Sequence, residues 1–449
     1  MKTVRVVLVS TYELGRQPFG LASPAAWLRA EGHEVTMADL SRLRPPRHVF
    51  EQADLIAFYL PMHTATRLFL RLVESVRAAN PRAFLCAYGL YAPLNESMLR
   101  RLGVRAVLGG EFEAGLAALA RDLAERREDA GGGLPVVSLE KLRFLPPDRA
   151  GLPPLGAYSH LSIEGATRRV GYTEASRGCR HLCRHCPIVP VYRGQFRIVQ
   201  REVVLEDIRR QVAAGAQHIT FGDPDFFNGP GHAIAIIEAL AREWPGLTYD
   251  VTVKVEHLLR HRDLVPKLSA TGCLFLTTAV ESLDDAVLEK LAKGHTRADF
   301  IEALAIARAA GLALSPTFIP FTPWTTRAGY RQFLEDLAGF ELVGQVAPIQ
   351  LAIRLLIPEG SLLMELPEVR ARVEPFDARA LVYPWHSADP ELDRLAASIQ
   401  DAIKREERVG AGRGEIFRRI WDLAGAGEWP GVPMPARATI PYLTEPWYC

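Results

Sequence analysis

Arg177-Gly178-Cys179-Arg180-His181-Leu182-Cys183-Arg184-His185-Cys186-Pro187 gathers three of the chain's six cysteines into eight positions, with C-x3-C-x2-C spacing. A disulfide framework would spread its cysteines through a small secreted domain, so this clustering within 449 residues points to a metal or redox site. Thiolates are soft ligands that suit iron–sulfur clusters and zinc. On a four-iron cubane, three thiolates leave one iron open to a further ligand. Structural zinc instead wants four closed ligands, with His181 or His185 available as the fourth. Arg180, Arg184 and His185 add positive charge, which favours thiolates and a reduced cluster. Cys86 and Cys273 sit in apolar, strand-like runs and read as buried thiols.

Outward from this segment, residues 165–356 alternate strand and helix signals. Strands are predicted at 171–175, 218–222, 249–255, 274–280, 313–318 and 348–355, with helices at 202–214, 230–243, 284–293 and 296–310. The alternation implies an α/β fold, a partial (β/α)6 barrel open on one side, with its chemistry at the carboxyl ends of the strands. The cysteine segment lies at the end of the first of these strands. Upstream, residues 1–126 alternate again: strands at 4–10, 34–37, 54–59, 83–88 and 105–108, helices near 19–31, 64–80, 94–102 and 112–126. That pattern predicts a doubly wound, Rossmann-like parallel sheet. Residues 127–164, with Gly131-Gly132-Gly133 and Pro146-Pro147, read as a linker. Residues 357–449 read as a small, mostly helical region with a helix near 390–406 and a Pro-rich tail.

The composition is 48% hydrophobic and 23% charged with net charge +1, which gives no electrostatic footprint for DNA or an anionic membrane. Residues 1–9 lack the long apolar region of a signal peptide. No run is apolar over the roughly 18 residues that span a bilayer. A cytoplasmic protein without a membrane or DNA partner is expected.

The cysteine triad resembles the signature of the radical S-adenosylmethionine (SAM) superfamily. Two further stretches are similar to later barrel units of these enzymes: Lys254-Val255-Glu256-His257-Leu258, and Thr278 to Leu283 followed by Lys293-Gly294-His295-Thr296. The resemblance implies that Cys179, Cys183 and Cys186 hold a [4Fe–4S] cluster whose open iron chelates the amino and carboxylate groups of SAM. Carried over residue by residue, the methionine amino group falls to Gly222-Asp223-Pro224-Asp225-Phe226, with Asp223 the first choice and Asp225 the second. Lys254 would pair with the SAM carboxylate and Glu281 with the ribose hydroxyls. Each has a plainer alternative: Asp223 and Asp225 as helix caps or Asx turns, Lys254 as a solvated lysine, Glu281 in a structural ion pair. Ser315-Pro316-Thr317-Phe318 replaces the family's glycine-rich adenine motif.

Residues 1–126 resemble the cobalamin-binding domain that precedes the barrel in one class of these enzymes, through Gly20-Leu21-Ala22, 28–35 and Val107-Leu108-Gly109-Gly110-Glu111-Phe112-Glu113. Gly109 and Gly110 would bring backbone close to a ligand at a helix start. The D-x-H-x-x-G motif is absent, and the third and fourth strands end in Tyr59-Leu60-Pro61 and Tyr88-Gly89-Leu90. Two alternatives follow: cobalamin bound without a histidine below the metal, or a degenerate Rossmann-like domain kept for packing or substrate access.

The tail Ile440-Pro441-Tyr442-Leu443-Thr444-Glu445-Pro446-Trp447-Tyr448-Cys449 resembles the CUAEP/CCAEP-tail radical SAM group. The resemblance implies a catalytic or substrate-holding Cys449, followed in the natural product by selenocysteine, and a substrate with a thiophilic centre such as arsenic. The expected function is reductive cleavage of SAM and transfer of a methyl group, radical or SAM fragment to a small molecule, fed by an electron donor such as flavodoxin or ferredoxin. The alternatives are an RNA-modifying methyl- or methylthiotransferase, whose methylthio form needs three further N-terminal cysteines where only Cys86 is present, and a zinc-binding module.

Overall fold

The computed structural model describes residues 2–163, 165–431 and 442–444. The aliphatic runs of the first part form β1 (Arg5–Ser10), β2 (Glu34–Asp39), β3 (Leu55–Tyr59), β4 (Phe84–Tyr88) and β5 (Ala106–Gly110). They are parallel, in the order β2-β1-β3-β4-β5. The three strands β3 to β5 are buried along their whole length, as strands covered on both faces must be. Helices Phe19–Ala30 and Glu113–Ala124 cover one face, and helix His63–Ala79 the other. The strand order reverses between β1 and β3, and at such a switch point the strand ends leave a crevice.

Residues 127–164, expected as a linker, contribute to both sheets. β6 (Val137–Ser138) joins β5 in parallel at Gly109 and Gly110, and β7 (His160–Ile163) makes an antiparallel hairpin with β8 (Ala166–Thr173). The glycines and prolines make turns between these pairings instead of a free tether, because Gly109 N donates to Val136 O and Glu111 N to Ser138 O.

The short antiparallel pair β9 (Ser176–Gly178) and β10 (Phe196–Ile198) brackets the cysteine segment. The second sheet continues with β11 (His218–Phe221), β12 (Thr248–Thr252), β13 (Cys273–Glu281) and β14 (Ala313–Phe318). These run parallel to β8 in sequence order and form an open half-barrel. The sixth strand expected over 348–355 does not form. Pro348–Leu351 is a 3₁₀ turn, and beyond it Phe321 and Arg354 make a single parallel bridge. The Gln350 side-chain oxygen accepts from Phe318 N at 3.0 Å, occupying the donor at the end of β14 that a sixth strand would use. Pro348 has no N–H to give to a ladder.

Helices Pro390–Arg408 and Arg413–Ala424 pack onto the barrel core through Leu392, Ile399, Ile416, Phe417 and Trp421. β15 (Tyr442–Leu443) pairs antiparallel with β7. Among the described residues no helix is long and apolar enough to cross a membrane.

Candidate active site at the carboxyl edge of the half-barrel

The cysteine segment leaves β9 and hooks over the carboxyl edge of the half-barrel. Its path is fixed from both sides. Asn228 Oδ1 accepts from Arg180 N at 3.2 Å, while Arg184 N donates to Leu291 O at 3.0 Å and its guanidinium to Lys290 O at 2.9 Å. Within the hook, Cys186 N donates to Cys183 O at 3.1 Å, and helix Ile188–Tyr192 begins directly afterwards. Cys183 is buried, Cys179 and Cys186 are partly buried, and all three are free thiols.

Burial pushes the Cys179 thiol up to about 11 and the Cys186 thiol to about 12, with each feeling the other cysteines and a nearby lysine, Lys254 or Lys293. Two thiols this hard to ionise, Cys179 and Cys186, are poor free nucleophiles. A bound metal, which displaces their protons, resolves that conflict. A single zinc at about 2.3 Å from each sulfur needs thiolates only about 3.8 Å apart. Among the described residues the group of potential metal-ligand atoms that comes together is Cys179, His181 and Asp225, all within 4.8 Å of one another. The two histidines proposed as a fourth zinc ligand face carboxylates: His181 Nδ1 lies 3.4 Å from Glu256, and His185 Nε2 3.1 Å from Glu281. Three soft donors gathered in one short hook suit an iron–sulfur cluster.

The other expected residues converge on the same edge with different environments. Asp223, 2% exposed, accepts from Ala175 N at 2.9 Å and from Ser176 Oγ at 2.5 Å. Both oxygens therefore clamp the turn between β8 and β9, and burial pushes the carboxyl up to about 7. Asp225 caps the turn Phe226–Asn228 by accepting from Phe227 N at 3.2 Å, and its second oxygen lies 2.6 Å from His257 Nδ1 and 3.7 Å from His181 Nε2. Burial raises Asp225, but the two histidines outweigh it and hold the carboxyl below its usual range. Lys254, buried just beyond β12, has Nζ 3.5 Å from Glu256.

Glu281 ends β13 at a register shift with φ of 68°, a conformation that costs a non-glycine residue about 1–3 kcal/mol and tends to persist at functional sites. Its carboxylate lies 3.1 Å from His185 and 3.4 Å from Lys293 Nζ. Burial alone would raise it; Lys293 and His185 win and hold it at about 2.

Sequence reading did not single out Lys293, His257 or His295. His295 is 6% exposed, neither ring nitrogen has a well-formed hydrogen bond, and burial beside Lys293 and Lys254 pushes it down to about 4. His181 Nε2, His185 Nδ1, Asp225 Oδ2 and His257 Nδ1 are likewise buried without well-formed hydrogen bonds. Buried polar atoms left this way are costly. Their collection around three thiols and two lysines marks a site shaped for a polar, zwitterionic ligand.

Gly109 and Gly110 sit on the other sheet. A Cβ on Gly109 would lie 2.1 Å from Pro93 Cγ, and one on Gly110, whose φ is 70°, 2.1 Å from Ser138 O. Their bare backbone admits Pro93 and β6. Cys449 lies outside the described residues.

Residues 173–337 match the Radical SAM superfamily. The chain carries a radical SAM domain. Such domains work with a [4Fe–4S] cluster and SAM, and the three cysteines with the lysines, histidines and carboxylates around them suit both. The chain is 26% identical over 324 residues to the hopanoid C-3 methylase of Methylococcus capsulatus, covering 69% of this chain and 62% of that protein. It therefore spans about three fifths of that relative. The tRNA-2-methylthio-N(6)-dimethylallyladenosine synthase of Desulfosudis oleivorans is 29% identical over 177 residues, 37% of each chain. Among solved structures, the cobalamin-dependent radical SAM enzyme OxsB with aqua-cobalamin superposes with TM-score 0.68 at 16% identity, covering 90% of this chain and 67% of its own. The radical SAM methyltransferase TsrM from Kitasatospora setae, with cobalamin and a [4Fe–4S] cluster, gives 0.64 at 15% identity, covering 86% and 84%. At these identities the likeness is one of fold: a Rossmann-like sheet followed by the half-barrel.

Proposed function

We propose that the chain is an enzyme that reductively cleaves SAM and transfers a methyl group or another SAM-derived fragment to a small-molecule substrate. Cys179, Cys183 and Cys186 would hold a [4Fe–4S] cluster, which would supply SAM with an electron drawn from a flavodoxin- or ferredoxin-type donor. The chain's own residues orient the ligand. Lys254 and Lys293 put two cations beside the thiols, the first for the SAM carboxylate and the second to keep Glu281 ionised. Glu281, held at about 2, is a permanent acceptor for ribose hydroxyls near neutral pH. Asp225, ionised between two histidines, faces the edge where the amino group would lie, whereas Asp223 has both oxygens engaged by the β8–β9 turn. We therefore give the amino group to Asp225 and a positioning role to Asp223. The observation that carries the reading is the convergence at one strand edge of the three cysteines with Lys254, Lys293, Glu281 and buried histidine and carboxylate atoms that lack well-formed hydrogen bonds.

The tail supports a role for Cys449. β15 is antiparallel to β7, which is antiparallel to β8, so the tail runs in the direction of β8, toward the active edge. Thr444, hydrogen-bonded to His160, stands level with Arg169 on β8. We assign Cys449, five residues further on, to that edge as part of this proposal. A thiol there is suited to holding a thiophilic centre, and on this tail alone rests the narrower reading of a soft-atom substrate such as arsenic. The test is anaerobic incubation with SAM and dithionite, identifying the fragment released; intact SAM with a fully assembled cluster would remove the proposal.

A further inference from the structure

A corrin, as bound by the solved neighbours OxsB and TsrM, would need the crevice at the β1/β3 switch point, where doubly wound sheets take their ligands. In this chain that crevice is filled by its own side chains. Tyr59, the last residue of β3, lays its ring over helix Phe19–Ala30, so closely that a Cβ on Gly20 would lie 2.1 Å from it. Tyr88, the last residue of β4, is fully buried and donates its hydroxyl to Gly20 O at 2.9 Å. Phe112 completes the stack, its ring 5.0 Å from Tyr88 and 6.0 Å from Tyr59, with the two tyrosines 5.4 Å apart.

A second layer comes from the barrel. Arg177, two residues before the first cysteine of the triad, holds its guanidinium 5.0 Å over the Phe112 ring. It donates to Glu113 at 2.7 and 3.0 Å, to Glu174 at 2.7 Å and to Glu111 at 3.3 Å, and the Tyr192 hydroxyl donates to Glu111 at 3.1 Å. Glu111 and Glu113 follow directly on Gly109-Gly110, so the turn expected to bring backbone to a ligand presents carboxylates to the barrel instead. Moving Arg177 aside would leave the buried Glu111 and Glu113, and Glu174 beside them, without its countercharge. The cavity that remains between Tyr59, Phe112, Glu174, Arg177 and Tyr192 is ≈170 Å³. Drug-sized ligands occupy about 300–1,000 Å³, and a corrin exceeds them.

We propose that this chain takes no cobalamin: the crevice of its Rossmann-like sheet has become an aromatic and ion-paired seam that locks the sheet onto the barrel. Under the proposed function, the group removed from SAM then never resides on cobalt. The test uses the full chain, produced in a host supplied with hydroxocobalamin so that the corrin is present during folding. After anaerobic addition of iron and sulfide and gel filtration, cobalt, iron, corrin absorbance and SAM cleavage are measured on one sample. Cobalt at background, with iron at full cluster occupancy, is the expected result. Cobalt approaching one per chain with a corrin spectrum would overturn it, whatever the activity. A cobalt-free, iron-loaded protein that leaves SAM intact upholds this inference and contradicts the proposed function, so the two fail separately.

Discussion

At the carboxyl ends of β8, β11, β12 and β13 the chain collects three thiols, two lysines and several buried polar atoms without well-formed partners. At the carboxyl ends of β3, β4 and β5, in the same chain and in the same kind of parallel sheet, it places Tyr59, Tyr88 and Phe112 in mutual contact and an arginine among three carboxylates. Both edges are where α/β folds put their ligands. One keeps unsatisfied chemistry and strain, as at Glu281; the other is packed and paired. A fold therefore tells where a site would be, and the satisfaction of the groups there tells whether one is kept.

Replacing Cys179, Cys183 and Cys186 with Ala should break the half-barrel side completely. All iron and all SAM cleavage are lost, while circular dichroism shows the chain still folded. Iron retained by that variant would mean that other residues carry the cluster.

Arg177→Met breaks the other side. It removes the cation bonded to Glu111, Glu113 and Glu174 and should cost about 3–5 kcal/mol, read as a lower urea midpoint and faster proteolysis between the two sheets. If SAM affinity falls and stability holds, Arg177 belongs to the site and not to the seam.

Lys254→Met and Glu281→Gln each remove a charge-assisted contact to SAM, worth about 1.5–3 kcal/mol, or roughly 10- to 150-fold in affinity. Equilibrium dialysis against iron-loaded protein checks this. Asp223→Asn should leave SAM affinity nearly unchanged, because both of its oxygens already serve the β8–β9 turn. A loss at Asp223 equal to that at Glu281 would return it to the ligand.

A further effect is on pH. Asp223 and Glu111 are both pushed up to about 7 by burial. A carboxyl whose folded value lies above its unfolded one binds more protons in the native state, so stability falls as pH rises from about 4 to 7, a tenfold difference in proton affinity between the two states being worth about 1.4 kcal/mol. Glu281, held at about 2, acts oppositely: its contribution is present above pH about 4.5 and is lost as pH falls toward 2. Melting temperature should therefore be higher near pH 5.5 than near pH 7.5, with the slope reduced in Asp223→Asn.

Much of this is legible in the sequence, for reasons that particular residues make plain. The triad and the strand over Ala313–Phe318 are local signals, carried by spacing and by the alternation that buries Leu314, Pro316 and Phe318. The sixth strand is misread because Pro348-Ile349-Gln350-Leu351 is as apolar as a strand, while the decisive bond, Phe318 N to Gln350, joins residues far apart in sequence. The double role of residues 127–164 is hidden for the same reason: two-residue β6 has no periodicity, and only its pairing with Gly109 and Gly110 defines it. Asp223 cannot be told from Asp225 by sequence, because what separates them is Ala175 N and Ser176 Oγ on one side and His257 and His181 on the other. His295 lies in a stretch that carries the family resemblance, Lys293-Gly294-His295-Thr296, but nothing local gives it a role. Its significance is burial between two lysines, which only the closed half-barrel creates.

The central claim is that the carboxyl edge of the half-barrel binds SAM on a cluster and breaks it. The most direct measurement takes the anaerobically reconstituted chain with SAM and dithionite and follows SAM and its fragments by mass spectrometry beside the metal content of the same sample. The account predicts iron and sulfide in the protein and a SAM carbon–sulfur bond broken, with both lost in the Cys179, Cys183 and Cys186 variant. Zinc in place of iron, with SAM returned intact, would contradict it.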